Sequence, residues 1–270
     1  ERVASTACQG RHVAELMGVA CDECRVTVLR LGHEEISLIA FAQAGRSYPS
    51  RRASNDPWFQ HIAIVVSDMA AAYTRLLGQD GWSPISRHGP QQLPAASGGV
   101  TAFKFRDPEG HPLELLAFPK DAAPPVWRRS DALFLGIDHS AIAVADAARS
   151  LAFYERFGFS IRSQTLNRGP EQDNLDGLEG ATVEVTGLNL AEAPRPNLEL
   201  LRYRAPTDRA GPVIFTGNDV ATTQLEIEVA DGGAVIADLR AADAAFVSPG
   251  GVSLGDGRTA ALVRDPDGHH

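Results

Sequence analysis

A six-residue turn sequence occurs twice in this chain, as Arg-Asp-Pro-Glu-Gly-His at 106–111 and as Arg-Asp-Pro-Asp-Gly-His at 264–269. Proline at the second and glycine at the fourth position of Asp-Pro-Glu-Gly are typical of a type I turn. The first copy lies between two apolar segments, 100–105 and 113–118, so we predict a hairpin there. A hairpin that recurs almost unchanged indicates a chain built from copies of one structural module.

Each complete copy has the same predicted order of strand, helix, strand, strand and strand, written βαβββ. Alternating apolar residues begin the copies at 61–66 and 139–144, where Ser67 and Asp146 are expected to cap the helices. We therefore predict an α+β fold of tandem modules, paired into curved, cup-shaped mixed β-sheets with helices on the outer face. The predicted modules are a partial one at 1–45 with only its last strands, complete ones at 59–119 and 135–205, and a partial one at 221–270 that lacks its last strand; linkers lie at 46–58 and, rich in proline, at 120–134.

Composition excludes several classes of function for this chain. Its 270 residues carry a formal net charge of -9 without a basic cluster, which argues against nucleic acid as the main partner. No apolar run reaches the roughly 18 residues of a membrane span, and three cysteines do not suggest a disulfide framework. We expect a cytoplasmic protein with a small-molecule substrate and no membrane partner.

Carboxylates interrupt two of the apolar strands at equivalent positions. Glu114 lies in Pro-Leu-Glu-Leu-Leu and Glu199 in Asn-Leu-Glu-Leu-Leu. A carboxylate in such a strand must be paired, bound to a metal or placed at a cavity, because burying it alone is too costly. The alternative is a glutamate at a strand end that reaches solvent. The loops at 88–92 and 168–172 share Gly-Pro and are predicted to line a ligand site; the alternative is that both simply need the same Gly-Pro turn.

Histidines open both complete modules. His61 shares its strand face with alanine and valine, and His139 shares its face with two alanines, which leaves room in front of each imidazole. Superposing the modules aligns both histidines with Gln224, and aligns the two glutamates with Ser37. Two histidines and two carboxylates suit one divalent ion of the Fe, Ni, Mn, Co or Zn class. A glutamate at such a site could also act as general base.

The chain resembles the vicinal oxygen chelate superfamily, which includes glyoxalase I, type I extradiol dioxygenases and bleomycin resistance proteins. The motifs that carry the resemblance are His61-Ile-Ala-Ile-Val, His139-Ser-Ala-Ile-Ala-Val, Phe153-Tyr-Glu-Arg-Phe-Gly-Phe, Arg-Asp-Pro-Glu-Gly-His and the two Leu-Glu-Leu-Leu strands. The resemblance implies metal ligands on first and last strands, and a metal that chelates two adjacent substrate oxygens. It assigns ligand roles to His61, Glu114, His139, Glu199 and Gln224.

Two ways of pairing the modules remain open. Pairing in chain order would give one site with Ser37, His61 and Glu114, and another with His139, Glu199 and Gln224. Direct pairing of the complete modules would instead give a quartet of two histidines and two glutamates. We predict a metal-dependent enzyme with glyoxalase-like or extradiol-dioxygenase-like chemistry, in which Glu114 and Glu199 are the catalytic candidates. The alternative function is that of a non-catalytic protein that binds a small molecule. A homodimer is the expected assembly.

Overall fold

The computed structural model describes residues 1–128, 131–191, 195–211, 213–255 and 257–270. Residues 129–130, 192–194 and 256, which belong to the predicted proline-rich linker and the last two modules, lie outside the described residues, as does residue 212. In the part of the chain that is described, no helix combines the length and the apolar character needed to cross a membrane.

The N-terminal segment contains strand β1 (Arg2–Gln9), helix α1 (Arg11–Met17), strand β2 (Glu23–Leu31) and strand β3 (Glu34–Phe41). The three strands form an antiparallel sheet in the order β1-β2-β3. The alternating pattern of the sequence indicated only the second and third of these strands. The segment therefore has one strand and one helix more than was predicted for it.

The first complete module follows the predicted order, with β4 (Gln60–Val66), α2 (Met69–Leu77), β5 (Ser83–Pro84), β6 (Gln91–Gln92), β7 (Thr101–Arg106) and β8 (Pro112–Ala117). The cap of α2 is Asp68, whose carboxylate accepts from the Ala71 N–H at 3.0 Å. The predicted cap, Ser67, is wrong because its hydroxyl donates to the Ala132 carbonyl instead.

The turn between β7 and β8 explains why its sequence recurs. Asp107 Oδ1 accepts from the backbone N–H groups of Gly110 and His111, both at 2.8 Å. In the second copy, Asp265 Oδ1 accepts from the N–H groups of Asp267 and His269 at 2.9 Å. An aspartate that bonds its own turn holds the backbone in place and sets the direction of the strand that follows.

The second complete module contains β9 (Phe134–Ala143), α3 (Ala147–Tyr154), β10 (Phe159–Arg168), α4 (Pro170–Asp176), β11 (Thr182–Leu190) and β12 (Asn197–Ala205). Asp146 caps α3, as predicted, by accepting from the N–H groups of Ala148 and Arg149. The segment 168–172, predicted to be a loop, instead contains the start of the short helix α4. Its proline occupies the first helical position, where the missing N–H costs nothing.

The C-terminal segment contains α5 (Gly232–Ala241), β13 (Ala245–Phe246), β14 (Val252–Ser253), β15 (Thr259–Ala260) and β16 (Val263–Arg264). The strand predicted at 222–229 is absent from the described structure. Its one backbone hydrogen bond to the end of the segment runs from Leu225 N to His270 O at 3.0 Å. A single bond is not a ladder, so this stretch is extended chain without strand pairing.

The two complete modules share one nine-stranded sheet in the order β10-β11-β12-β9-β4-β8-β7-β5, with β6 paired to β7. First strands β4 and β9 meet antiparallel at the centre. On either side of them, last strands β8 and β12 run parallel to the first strand of their own module. The complete modules therefore pair directly, and pairing in chain order is ruled out for this sheet.

The two faces of this sheet have different partners. Apolar residues of β9 and β12, including Ile142, Leu198 and Leu200, pack against Tyr154 of α3. Phe103 and Val66 pack in the same way against residues of α2. The opposite face, here called the inner face, carries the alternate residues of the same strands, and it is where the histidines and glutamates of the prediction lie.

The N-terminal sheet repeats part of the second complete module. Helices α1 and α4 are both seven residues long, and each connects the first two strands of an antiparallel three-stranded ladder. Each helix lies between two glycines with positive φ, Gly10 (119°) and Gly18 (63°) for α1, and Gly169 (104°) and Gly177 (66°) for α4.

The packing of these two helices is also repeated. Gly177 lies against the backbone oxygen of Ile85, and Gly18 lies against Val247. Ser86 Oγ accepts from Lys104 N at 2.8 Å, and Ser248 Oγ accepts from Leu262 N at 3.0 Å. We call the two complete modules the central pair and the two partial modules the outer pair. By this correspondence, Leu262 stands where Lys104 does, and Met17 where Asp176 does.

Candidate metal centre

The central strands place two imidazoles side by side on the inner face. In the antiparallel register of β4 and β9, His61 is opposite Ala141 and Ala63 is opposite His139. Each histidine therefore faces an alanine, whose small side chain leaves the space that the neighbouring imidazole fills. The ring centroids lie 5.6 Å apart at an interplanar angle of 74°.

Glu114 completes a buried trio with these histidines. On β8 it pairs with Ala63, which puts its carboxylate beside the histidine rings. Its Oε2 atom lies 3.2 Å from His61 Nε2 and 3.5 Å from His139 Nε2. One ligand atom from each of the three residues lies within 4.8 Å of the others, and all three residues are buried. One carboxylate oxygen thus stands between two imidazole nitrogens.

Glu199 lies on the open side of this trio. On β12 it pairs with Ala141, which is the residue opposite His61. Its Oε2 atom is 3.6 Å from His139 Nε2. The Glu199 side chain is 27% exposed, whereas that of Glu114 is 6% exposed, so Glu199 is the member of the group that solvent reaches.

Two residues that sequence reasoning missed orient His139. Asp138 Oδ2 accepts from His139 Nδ1 at 3.1 Å, and the Trp127 indole N–H donates to Asp138 Oδ1 at 3.1 Å. A carboxylate that holds one ring nitrogen leaves the lone pair of the other nitrogen free for a metal. The Asp-His dipeptide was a possible signal for this arrangement, but nothing in the sequence placed Trp127 beside it.

The pKa values show how strongly the trio is coupled. Burial lowers the pKa of His61 from 6.5 to about 4, with a further decrease from the charge of Lys104. Burial alone would also lower the pKa of His139, but Glu199, Asp138 and Glu114 together raise it well above 6.5. Burial would raise the pKa of Glu114, but the neighbouring imidazoles of His139 and His61 hold it well below 4.5. Of the two imidazoles, His139 therefore holds an added proton more tightly than His61 does.

The pKa of Glu199 is shifted in the opposite direction from that of Glu114. Burial raises the pKa of Glu199, and the negative charges of Asp138 and Glu114 raise it further, against the opposing charges of His139 and Lys104. A carboxylate with a raised pKa is a better proton acceptor than one held fully ionised. The two predicted catalytic glutamates thus have environments suited to different roles.

A buried ion pair not predicted from the sequence lies next to the trio. Lys104 is directly opposite Glu114 in the β7–β8 ladder. Its Nζ atom lies 2.7 Å from Asp176 Oδ1, and both side chains are buried. The lysine lies in an otherwise apolar strand segment, so the reasoning that singled out Glu114 applied equally to it.

Gln224 and Ser37 do not belong to the central site. The amide nitrogen of Gln224 lies 3.7 Å from the Met17 sulfur, in the outer pair. The structure thus places Gln224, predicted as a ligand beside His139, against Met17 and outside the trio. Both edges of β9 are taken by β12 and β4, so no further strand can bring a side chain to His139 from there. Ser37 lies on β3, in the separate N-terminal sheet.

The donor set fits a divalent metal. Two imidazole nitrogens and a carboxylate oxygen are ligands shared by Fe, Ni, Mn, Co and Zn. The buried Nε2 atom of His139 has no hydrogen-bond partner among the described residues. A metal ion would satisfy that nitrogen, since metal binding requires the deprotonated form of a histidine nitrogen.

Comparison with known proteins agrees with this fold. A family model described as Glyoxalase/Bleomycin resistance protein/Dioxygenase superfamily matches residues 136–270, which is half of the chain. The chain belongs to this superfamily. The resemblance and the α+β fold class predicted from the sequence are thereby confirmed. No match was found among curated proteins.

Solved structures extend the similarity over the whole chain. One mutant of glyoxalase I from Zea mays has a TM-score of 0.61 at 18% identity, covering 98% of this chain and 81% of its own. A second mutant of the same enzyme has a TM-score of 0.54 at 16% identity, covering 98% and 90%. Methylmalonyl-CoA epimerase from Mycobacterium tuberculosis matches at a TM-score of 0.36, 15% identity and coverage of 59% and 93%, which is too low to support an argument. At these identities the likeness is one of fold.

Proposed function

We propose that this protein is a metal-dependent enzyme that binds a small molecule through two adjacent oxygens and moves a proton at the carbon beside them. The observation that carries the proposal is the buried trio of His61, His139 and Glu114, with Glu199 at its open side. This arrangement supports glyoxalase-like isomerase or lyase chemistry. We further expect a cytoplasmic enzyme and a homodimer, neither of which bears on the chemistry of the site.

The trio would hold the ion, with Glu199 near enough to act as a fourth ligand. A bound divalent ion supplies Lewis acidity, which stabilises negative charge on a chelated substrate oxygen. The protein residues set the geometry: Asp138 holds the His139 ring, and the sheet register fixes His61 and Glu114. Burial of all three side chains keeps water from the ligand atoms on the protein side.

Glu199 would be the general base. It combines partial exposure with a raised pKa, so it can both reach a substrate and accept a proton from it. Glu114 was also a catalytic candidate, but its carboxylate lies between two imidazoles and is held ionised, which suits a ligand better than a base.

Ring cleavage by dioxygen is a second candidate. Two histidines and one carboxylate that leave other positions open are the ligand set of many non-haem Fe(II) oxygenases. The trio has this composition, and Glu199 lies on the side where a substrate or dioxygen would approach. A non-catalytic binding protein is the third reading, and it predicts ligand affinity without turnover.

The first test is metal content. We would purify wild-type protein without chelator and measure Fe, Ni, Mn, Co and Zn by elemental analysis, alongside His61→Ala and His139→Ala. About one ion per chain, lost in both variants, is expected if one ion bridges the central pair. His33→Ala is the matched control, because His33 is exposed in the turn between β2 and β3. Full metal content in either site variant would refute a shared site.

The second test separates the reaction classes. Metal-loaded protein would be incubated in deuterated buffer with hydroxyacetone, which has two adjacent oxygens, and loss of its C–H signal followed by NMR. Exchange that depends on metal and is lost in Glu199→Ser, with metal content retained, supports proton transfer. Oxygen uptake with catechol by the Fe-loaded protein would instead favour ring cleavage. Ligand binding with neither activity would favour the binding protein.

A further inference from the structure

Lys104 places a buried positive charge on the inner face beside the metal trio. It lies on β7 opposite Glu114, and the whole residue is only 4% exposed. Its strand neighbours Phe103 and Phe105 point to the helix side, where they belong to the apolar core. A lysine is seldom buried to this degree unless it is paired.

The lysine is held by a carboxylate that is itself held from two sides. Asp176 Oδ1 accepts from Lys104 Nζ at 2.7 Å, while Asp176 Oδ2 accepts from the Tyr203 hydroxyl at 3.0 Å and from Gln172 Nε2 at 2.7 Å. An ammonium group has three N–H donors, and Asp176 takes one of them. The Lys104 ammonium is also 6.0 Å from the centre of the Phe59 ring. The ammonium group is thus fixed in place, and two of its N–H donors are not used by Asp176.

The outer pair shows that the fold does not require this charge. At the corresponding positions it has Leu262 and Met17, two apolar residues, around the same serine-to-backbone bond and the same glycine-ended helix. A buried ion pair costs desolvation, and well-packed apolar residues can replace one without loss of stability. The ion pair therefore accompanies the chemistry of the central site.

The charge acts on the groups that would meet a ligand. Lys104 is directly opposite Glu114 in the β7–β8 ladder, and Glu114 Oε2 lies 3.2 Å from His61 Nε2. Both proposed ligands are buried, and a fixed charge acts strongly in such a poorly solvated environment. A negative oxygen on a ligand at the metal would feel the same field with a favourable sign.

We propose that Lys104, fixed by Asp176, makes this site selective for ligands that chelate the metal as anions, with a carboxylate or enolate oxygen as one of the two adjacent oxygens. The inference rests on the proposed function for the presence of the metal. It goes further by naming the charge class of the substrate and the residue that selects it.

The test transplants the outer residues into the central pair. In the double variant Lys104→Leu with Asp176→Met, we would measure binding of oxalate, a dianion with adjacent oxygens, and of hydroxyacetone, its neutral counterpart. Both titrations use Mn-loaded protein. Loss of about tenfold or more in oxalate affinity is expected, with hydroxyacetone affinity unchanged, because hydrogen bonds and charges at a desolvated site contribute on this scale. Lys120→Met is the control, since Lys120 is exposed.

Three outcomes would overturn the proposal. Unchanged oxalate affinity would show that the charge does not reach the ligand, and equal loss for both ligands would indicate altered packing. Failure of the double variant to fold, seen by circular dichroism, would contradict the argument from the outer pair. If wild-type protein takes up no metal, the proposed function fails separately, and the same comparison of oxalate binding is made on metal-free protein with the same criterion for Lys104.

Discussion

The central and outer pairs use one backbone arrangement for different purposes. Both have a seven-residue helix that ends at a glycine and packs on a serine-containing segment just after a short strand of the partner module. At several positions where the central pair has ionisable groups, the outer pair has neutral residues. The packing of the two helices makes Leu262 correspond to Lys104, Met17 to Asp176 and Val13 to Gln172. The sequence alignment of the modules makes Gln224 correspond to His61 and Ser37 to Glu199.

This comparison indicates that the buried polar groups of the central pair depend on one another. Gln172 and Tyr203 satisfy Asp176, which in turn satisfies Lys104. Each buried polar group needs its partners, because a half-satisfied network costs more than an apolar core. The outer pair has changed several members of the set at once, and Val13 and Met17 are buried there as ordinary apolar residues.

The largest effect should come from removing the carboxylate shared by the trio. Glu114→Gln keeps the shape of the side chain but removes its charge, and it leaves both imidazoles without their common partner. We expect metal affinity to fall by more than about 100-fold, since even residues outside the ligand set contribute 10- to 100-fold. Titration of the purified protein with Zn and a competing chelator measures this.

The control for that variant is Glu109→Gln, because Glu109 is exposed in the turn that precedes β8. It should bind metal as the wild type does. Wild-type affinity in Glu114→Gln would remove the main distinction between the central and outer pairs, since the central site would then not depend on its shared carboxylate.

A smaller loss is expected when His139 loses its orienting partner. Asp138→Asn removes the carboxylate that accepts from His139 Nδ1, and metal affinity should fall by about 10- to 100-fold. Trp127→Phe removes only the indole donor to Asp138 and should have the weaker effect of the two. Asp121→Asn, at an exposed position, is the control. Equal affinity in Asp138→Asn and wild type would show that packing alone orients the ring.

How much of this could be foreseen depends on the range of the interactions involved. The modules and the inner-face residues follow from local patterns, since period-two alternation places His61 and Glu114 on one face. The choice between two module pairings depends on contacts between distant strands, which linkers alone do not determine. The Lys104–Asp176 pair joins two modules, so neither residue's environment could be known before β7 and α4 were placed together.

Metal-free protein should be most stable near pH 6.5, through opposite contributions from the two histidines. The pKa of His61 is about 4 in the folded state and 6.5 when unfolded, so the unfolded chain binds more protons and stability falls as pH drops from 6.5 to 4. The pKa of His139 is raised when folded, so its stabilisation is complete below 6.5 and is lost as pH rises through the folded value. Glu114, whose pKa is lowered, adds to the loss on the acid side.

Denaturant unfolding at several pH values, in the presence of a chelator, measures these slopes. His61→Gln installs the residue of the outer pair. It should reduce the loss in the free energy of unfolding between pH 6.5 and 4 by up to about 3 kcal/mol, an upper limit for a pKa shift of this size. His139→Gln should reduce the loss in the free energy of unfolding above pH 6.5. If both variants have the same pH of maximum stability as the wild type, other groups control the pH dependence.

The smallest expected effect is the difference in stability between alanine substitutions at the two glycines that end α4 and α1. Gly177 and Gly18 have nearly equal φ angles of 66° and 63°, so alanine pays the same left-handed penalty of about 1–2 kcal/mol at either position. A Cβ on Gly177 would lie 2.5 Å from the backbone oxygen of Ile85, whereas on Gly18 it would first meet a methyl group of Val247 at 2.6 Å. A valine side chain can rotate away, but a backbone oxygen can move only with its chain. Gly177→Ala should therefore lower the free energy of unfolding more than Gly18→Ala, and equal losses would mean that the central pair tolerates as much movement at this contact as the outer pair.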